Sequence, residues 1–310
     1  MSVINIREAK RTGAKLLIGL SGVSGGGKTY TALQLAYGLA NKQSNKIGLL
    51  DTENRRGSLY ADKLPNKEKF LIGDLLPPFS PQRYIEAIKE FQSTGIEVLI
   101  IDSVTHEYEG EGGCVDIAEN NKLGGLPNWA RAKMEHKRFL NTLLLSDMHV
   151  ICCVRAREKT RPDKQKDEIT GKDKTVFIND GLMPITEKNF MFEMTASLMI
   201  KEQGKLQDIL KVPQDLLPML GRCNGYIGID DGLAIRAWVD GVEIIDKELE
   251  NAKSLLEVTC IDGYKAVENI YKEFSTDIKQ KLQKDVKFME IIKNSAKSYD
   301  EINETNKSTN

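Results

Sequence analysis

No run of 18 apolar residues occurs in the 310-residue chain, so no membrane-spanning helix is expected. Met1–Lys15 lacks the apolar core of a secretory leader, which makes a cytoplasmic location the expectation. The five cysteines (Cys114, Cys152, Cys153, Cys223 and Cys260) include no C-x-x-C pair, and the three histidines are scattered. That usage points to reduced, buried thiols rather than disulfides or a zinc site. Neither sign of charge is in excess: 44 basic residues stand against 45 acidic ones, for a net charge of −1. Any nucleic-acid site must therefore be a local patch. No internal repeat is visible. A chain that is 40% hydrophobic and 29% charged suits a globular protein, and its length suits one large domain with at most a small appendage.

Glycine is concentrated where it carries chemistry. Gly22-Val23-Ser24-Gly25-Gly26-Gly27-Lys28-Thr29 fits G-x-x-x-x-G-K-[ST], between an apolar run at 16–20 and a helical pattern at 29–40. Glycines let backbone N–H groups curl around phosphate oxygens, and the following helix N-terminus adds a positive dipole end. Gly22 through Tyr30 are the expected nucleotide-binding residues. Lys28 is placed to reach the β and γ phosphates and Thr29 to offer its hydroxyl to Mg²⁺. Val98-Leu-Ile-Ile-Asp102-Ser103 reads as a buried strand that delivers Asp102 beside the loop, the Walker B pattern, where a carboxylate holds Mg²⁺ through water. Residues 46–51 form another short buried strand, which ends in Asp51-Thr52-Glu53. Glu53 is the candidate to orient and polarise water; a surface carboxylate or a ribose contact are the alternatives.

Strand and helix patterns alternate, the signature of an α/β fold with a mostly parallel sheet flanked by helices. Ser80-Pro81 is expected to cap and start a helix that stops at Gly95. Residues 104–126, rich in glycine and acid, read as a mobile loop or solvated surface. Residues 127–146 read as a helix and 148–154 as a buried strand ending at Arg155-Ala-Arg157. Residues 155–175 carry eight positive charges (Arg155, Arg157, Lys159, Arg161, Lys164, Lys166, Lys172, Lys174) and five acids, with almost no apolar residue. They read as an exposed, flexible basic loop, or simply a solvated connector. Residues 190–200 read as strand, 213–220 as a short helix, and 226–239 as a hairpin turning at Asp231-Gly232. Ile278, Leu282, Val286, Met289 and Ile292 follow the spacing of one amphipathic helix. The expected division is a core at 1–245, a helical region at 246–300 and a disordered tail at 301–310. The charge of 245–310, 11 basic against 13 acidic residues, gives no reason to see a DNA-binding tail.

The order Gly22–Thr29, then Leu49-Leu50-Asp51-Thr52-Glu53, then Leu99-Ile100-Ile101-Asp102-Ser103 resembles the RecA-type ATPase core across roughly residues 13–240. The resemblance implies a RecA-like P-loop fold with a small C-terminal helical region, with ATP and Mg²⁺ as cofactors and Glu53 as catalytic base alongside Lys28. The family's γ-phosphate sensor, often Gln, falls near Arg155, a departure from the pattern. A DNA-contacting loop would fall on 157–175, making Lys159, Arg161, Lys164 and Lys166 candidate DNA contacts. Arg155, Arg157 and Lys201 are candidates for a sensor or for a residue acting across a subunit border. Ser80–Ile88, Phe192-Glu193-Met194 and Val212-Pro213…Leu216-Leu217-Pro218…Gly221 are similar to short bacteriophage RecA-core proteins, including single-strand-annealing recombinases. The implied partners are single-stranded DNA, further copies of the chain in a ring or filament, and a phage single-strand-binding protein, with no membrane and in the host cytoplasm. Two other readings stay open: a nucleotide-switched assembly or regulatory ATPase without DNA binding, and a small-molecule P-loop kinase. Val23 stands where partitioning ATPases carry a second lysine, which counts against that type.

Overall fold

The sheet is built from strands that are apolar on both faces. The computed structural model describes residues 11, 13–166, 173–241 and 247–307. Strands β1 (Leu17–Gly22), β2 (Ile47–Asp51) and β4 (Val98–Asp102) are buried along their whole length. With β3 (Leu71–Asp74), β5 (His149–Lys166), β7 (Ala196–Lys201) and β8 (Leu206–Lys211) they form a sheet in the order β3-β2-β4-β5-β1-β7-β8. Along this path all pairings are parallel except β7 with β8; an eighth strand, off the path, pairs antiparallel with β5.

Alternate side chains supply two separate cores, as the period-2 geometry of a strand requires. Ile18, Leu20, Leu49, Ile100, Ile151 and Leu198 face helices α1 (Lys28–Leu39) and α8 (Ile229–Asp240). Leu17, Leu50, Leu99, Ile101 and Cys152 face α2 (Pro81–Ser93) and α5 (Trp129–Leu144), with Tyr84, Phe139 and Phe190 buried among them. Strands β1, β2 and β4 end at one edge, level with Cys153–Arg155 of β5, and residues 22–29 cross that edge.

Several expectations need correction. The stretch 226–239 is not a hairpin: helix α8 begins at Ile229 and runs to Asp240. Asp231 accepts from the backbone N–H of Gly228 (2.8 Å) and pairs with Arg222 (2.6 and 2.8 Å), so it caps a helix instead of turning a strand. Gly232 serves a helix crossing: a Cβ there would meet the Leu35 carbonyl oxygen at 2.3 Å, and one at Gly38 would meet that of Ile229 at 2.1 Å. We expect Gly232→Ala to destabilise the protein by ~1–3 kcal/mol, because overpacking against backbone outweighs the gain in helix propensity. Urea unfolding would check this, and wild-type stability would refute the tight crossing.

Residues 104–126 are not a loose loop. They hold α3 (Thr105–Glu109) and α4 (Cys114–Asn120), and Glu107 is fully buried. The basic loop is a β-hairpin: β5 runs on past Arg155, and its residues 156–166 pair antiparallel with β6 (Asp173–Pro184). Its tip, 167–172, lies outside the described residues. Phe190–Glu193 is a short helix, α6, ahead of β7. The helix at 213–220 is present as a 3₁₀ turn followed by α7 (Leu217–Leu220). Helix α2 starts at Pro81 as expected, but the Ser80 side chain makes no capping bond.

The chain divides into two compact units, 1–242 and 243–310. The second contains α9 (Lys247–Thr259), α10 (Tyr264–Glu273), α11 (Thr276–Lys284) and α12 (Val286–Lys307) around Leu256, Val267, Leu282 and Ile292. The stripe from Ile278 to Ile292 is thus split between α11 and α12 at Asp285, and Val286 is exposed. The tail expected from 301 is helical as far as Lys307. No helix among the described residues is long and apolar enough to cross a membrane.

Candidate active site

Strand β1 ends at Gly22, where a Cβ would meet the Ile200 carbonyl oxygen of β7 at 2.5 Å, so the loop must leave the sheet without a side chain there. Gly27 caps α1 at φ +96°, a left-handed backbone that glycine adopts freely, and it rests on the backbone of Gln203. The first turn of α1 then presents Lys28 and Thr29. The Lys28 ammonium is buried and donates to the carbonyls of Gly22 (3.1 Å) and Val23 (2.9 Å). Those are bonds that an incoming phosphate oxygen would replace. Val23 and Tyr30 are exposed.

Parallel register places Asp51 opposite Asp102 and Asp102 opposite Cys153, so β2, β4 and β5 deliver their ends together. The Thr29 hydroxyl donates to Asp102 Oδ2 at 2.6 Å. Burial raises the Asp102 pKa to about 6; the Thr29 hydrogen bond opposes that shift and the Glu53 charge adds to it. An oxygen-only pair with one buried carboxylate fits a hard cation such as Mg²⁺, with Thr29 and Asp102 as its holders.

Asp51 folds the segment after β2. Its two carboxylate oxygens accept from the N–H groups of Glu53 (2.6 Å) and Gly57 (2.7 Å), a local turn that aims Glu53 back at the cleft. Arg155 Nε donates to Glu53 Oε1 at 2.8 Å, and Arg56 lies 3.8 Å from the other oxygen. Burial pushes the Glu53 carboxyl up, but the Arg155 hydrogen bond and charge, with His106 and Lys28 behind them, hold it below its ordinary value. Thr52, beside Glu53, accepts from the Ser103 N–H (2.9 Å) and lies 2.8 Å from His106 Nδ1. Burial and the Arg155 charge lower the His106 pKa.

Ser24, Gly25, Lys28, Thr29, Asp51, Glu53, Asp102 and Arg155 line one cleft of ≈270 Å³, together with Arg56 and Tyr60. Glu53, Arg56 and Arg155 also line an adjoining depression of ≈510 Å³, together with His106 and Phe79. The other candidates line neither cavity. Arg157 pairs with Glu109 (3.6 Å) and Lys201 with Asp208. Lys159 is exposed on the hairpin, and Arg161 donates to Asp180 at 2.9 Å. The side chains of Lys164 and Lys166 lie outside the described residues.

Sequence reasoning missed Asp51, Arg56 and His106. An Asx-turn signal was present in Asp51-Thr52-Glu53. Arg56 stands three residues after Glu53, a local neighbour, whereas His106 gives no local sign, because only the fold brings it to Thr52.

No curated protein matches the chain. A family profile for the AAA domain matches residues 14–183, which span β1 through β6 and so every residue of the cleft. The chain belongs to the AAA domain family, whose P-loop fold binds nucleotide for ATPase chemistry.

Proposed function

We propose that the chain is a Mg²⁺-dependent, RecA-like ATPase that acts on single-stranded DNA in phage recombination or replication. The observation that carries the ATPase is the convergence of Lys28, Thr29, Asp102 and Glu53 on one ≈270 Å³ cleft. Lys28 and the loop N–H groups bind and orient the phosphates. Mg²⁺, when bound by Thr29 and Asp102, neutralises charge on the transferring phosphoryl group. Glu53 orients the attacking water and accepts its proton, which requires its pair with Arg155 to open. Arg155 is left free to meet the γ-phosphate.

Support for DNA is of a different kind. The hairpin begins one residue past Arg155 and carries Arg157, Lys159 and Arg161 at its base, with Phe177 72% exposed on its partner strand. Basic side chains and an exposed aromatic ring on one hairpin suit a backbone-plus-stacking contact with single strands. The pairing of Arg161 with Asp180 favours the second reading, a nucleotide-switched assembly or regulatory ATPase whose hairpin meets a protein.

Steady-state ATP hydrolysis with and without single-stranded DNA, with Lys28→Ala as the blank, separates the two. DNA stimulation supports the first reading, and indifference to DNA at low salt favours the second. Neutralising Lys159, Arg161, Lys164 and Lys166 together is expected to weaken single-strand binding and to flatten its salt dependence by roughly 3 in log–log slope, at about 0.7 per lost phosphate contact. Titrations at several salt concentrations check this; unchanged affinity removes the hairpin from the DNA reading.

A further inference from the structure

Helices α3, α4 and α5 enclose a cluster that the ATPase chemistry does not use. Glu107 of α3, Cys114 at the start of α4 and His136 of α5 are all buried, at 0%, 2% and 6% exposure. Cys114 Sγ lies 3.3 Å from Glu107 Oε1. His136 Nδ1 lies 3.1 and 3.0 Å from Glu107 Oε1 and Oε2. One donor atom from each residue falls within 4.8 Å of the other two.

We propose that Glu107, Cys114 and His136 form a structural site for a divalent cation of the zinc class. One sulfur, one imidazole nitrogen and carboxylate oxygen are the donor types such an ion takes. Ligand atoms around a tetrahedral zinc lie roughly 3.3–3.6 Å apart, from Zn–N near 2.0 Å and Zn–S near 2.3 Å. The Glu107–Cys114 and Glu107–His136 spacings are close to that, and the third pair lies within 4.8 Å. Glu107, Cys114 and His136 supply three vertices of such a tetrahedron, and a water molecule would supply the fourth.

The charges also balance. A divalent ion with the Glu107 carboxylate, the Cys114 thiolate and a neutral imidazole sums to zero, and the thiol proton leaves to solvent. Without an ion, the hydrogen-bond partners of the buried Glu107 carboxylate among the described residues are a thiol and an imidazole. The second nitrogen of that ring, Nε2, is buried with no hydrogen-bond partner. The ring lies beside Phe139 and Phe190, and with Nδ1 on a metal the imidazole is neutral and carries its one proton on Nε2.

The backbone is folded to bring the ligands together. A Cβ at Gly113 would meet the Glu107 carbonyl oxygen at 2.7 Å, and one at Gly110 that of His106 at 2.6 Å, so the turn between α3 and α4 closes back on Glu107. His106, one residue before Glu107, contacts Thr52 beside Glu53. An ion here would brace the segment that follows Asp102 without touching nucleotide.

The test uses the full chain, free of any affinity tag, and measures metal content by mass spectrometry. It continues with chelator stripping and titration with Zn²⁺ and with Co²⁺ as a spectroscopic probe. We expect about one zinc per chain. The stripped protein should melt lower and recover with Zn²⁺, and Co²⁺ should give the thiolate charge-transfer band of a tetrahedral site. Cys114→Ser and His136→Gln should each lower metal affinity by at least tenfold, whereas Cys223→Ser, which removes the exposed thiol, should not change it. Should those variants fail to fold, the wild-type Co²⁺ spectrum still decides. No thiolate band and no melting shift on stripping or adding Zn²⁺, or metal lost with Cys223, would overturn the site.

Discussion

Glu53→Gln is expected to bind ATP about as tightly as the wild type and to hydrolyse it some 10²–10⁴ times more slowly. Glutamine keeps the size of the side chain and an oxygen that accepts from Arg155 Nε, so the cleft wall stays in place. What it loses is the carboxylate's ability to take a proton from water. The Asp51 turn that aims residue 53 uses backbone N–H groups and survives the change. Binding should therefore separate cleanly from turnover: a fluorescent-nucleotide titration near wild type beside a single-turnover rate that collapses. A variant hydrolysing ATP at the wild-type rate would show that water is activated elsewhere and that Glu53 only anchors Arg155.

Lys28→Ala is expected to lose nucleotide, with affinity falling roughly 30- to 1,000-fold, the cost of about 2–4 kcal/mol for deleting one partner of a buried charge pair. Lys28 is 7% exposed, and its ammonium already sits against the Gly22 and Val23 carbonyls, 3.1 and 2.9 Å away. The charge is thus held in place before any phosphate arrives. Removing it leaves the anion facing N–H dipoles alone. The melting temperature without nucleotide should move little, because losing the cost of burying an ammonium offsets the bonds lost by the Gly22 and Val23 carbonyls, and Val23 still accepts from the Gly26 N–H. Isothermal titration and thermal unfolding on the same preparation test both halves. Retained micromolar binding would mean that the loop amides carry the affinity.

Both predictions rest on residues that could be read from the chain. The spacing of Gly22 to Thr29 and the apolar runs ending at Asp51 and Asp102 were legible because each is local. A glycine loop needs its glycines in order, and a strand buried on both faces needs a continuous apolar run. Elements whose form depends on distant partners were not legible. Asp231-Gly232 has the local look of a hairpin turn, yet Gly232 is there because helix α8 lies against α1 at Gly38. Residues 156–166 look too charged for strand, yet they pair with β6, where each strand's backbone satisfies the other and Arg157, Lys159 and Arg161 are exposed. The acidic stretch after Asp102 looks solvated, yet it buries Glu107 under α5.

The sequence by itself determined that this protein has a phosphate loop, an acidic strand end to serve it and an alternating α/β core, because those follow from residue type and short-range spacing. Tertiary structure alone decided which charges meet: Arg155 with Glu53 from 102 positions away, His106 with Thr52, and Glu107 with Cys114 and His136. Such pairings depend on strand order and helix packing. Those are set by how the two faces of the sheet are covered, which no single stretch of the chain encodes.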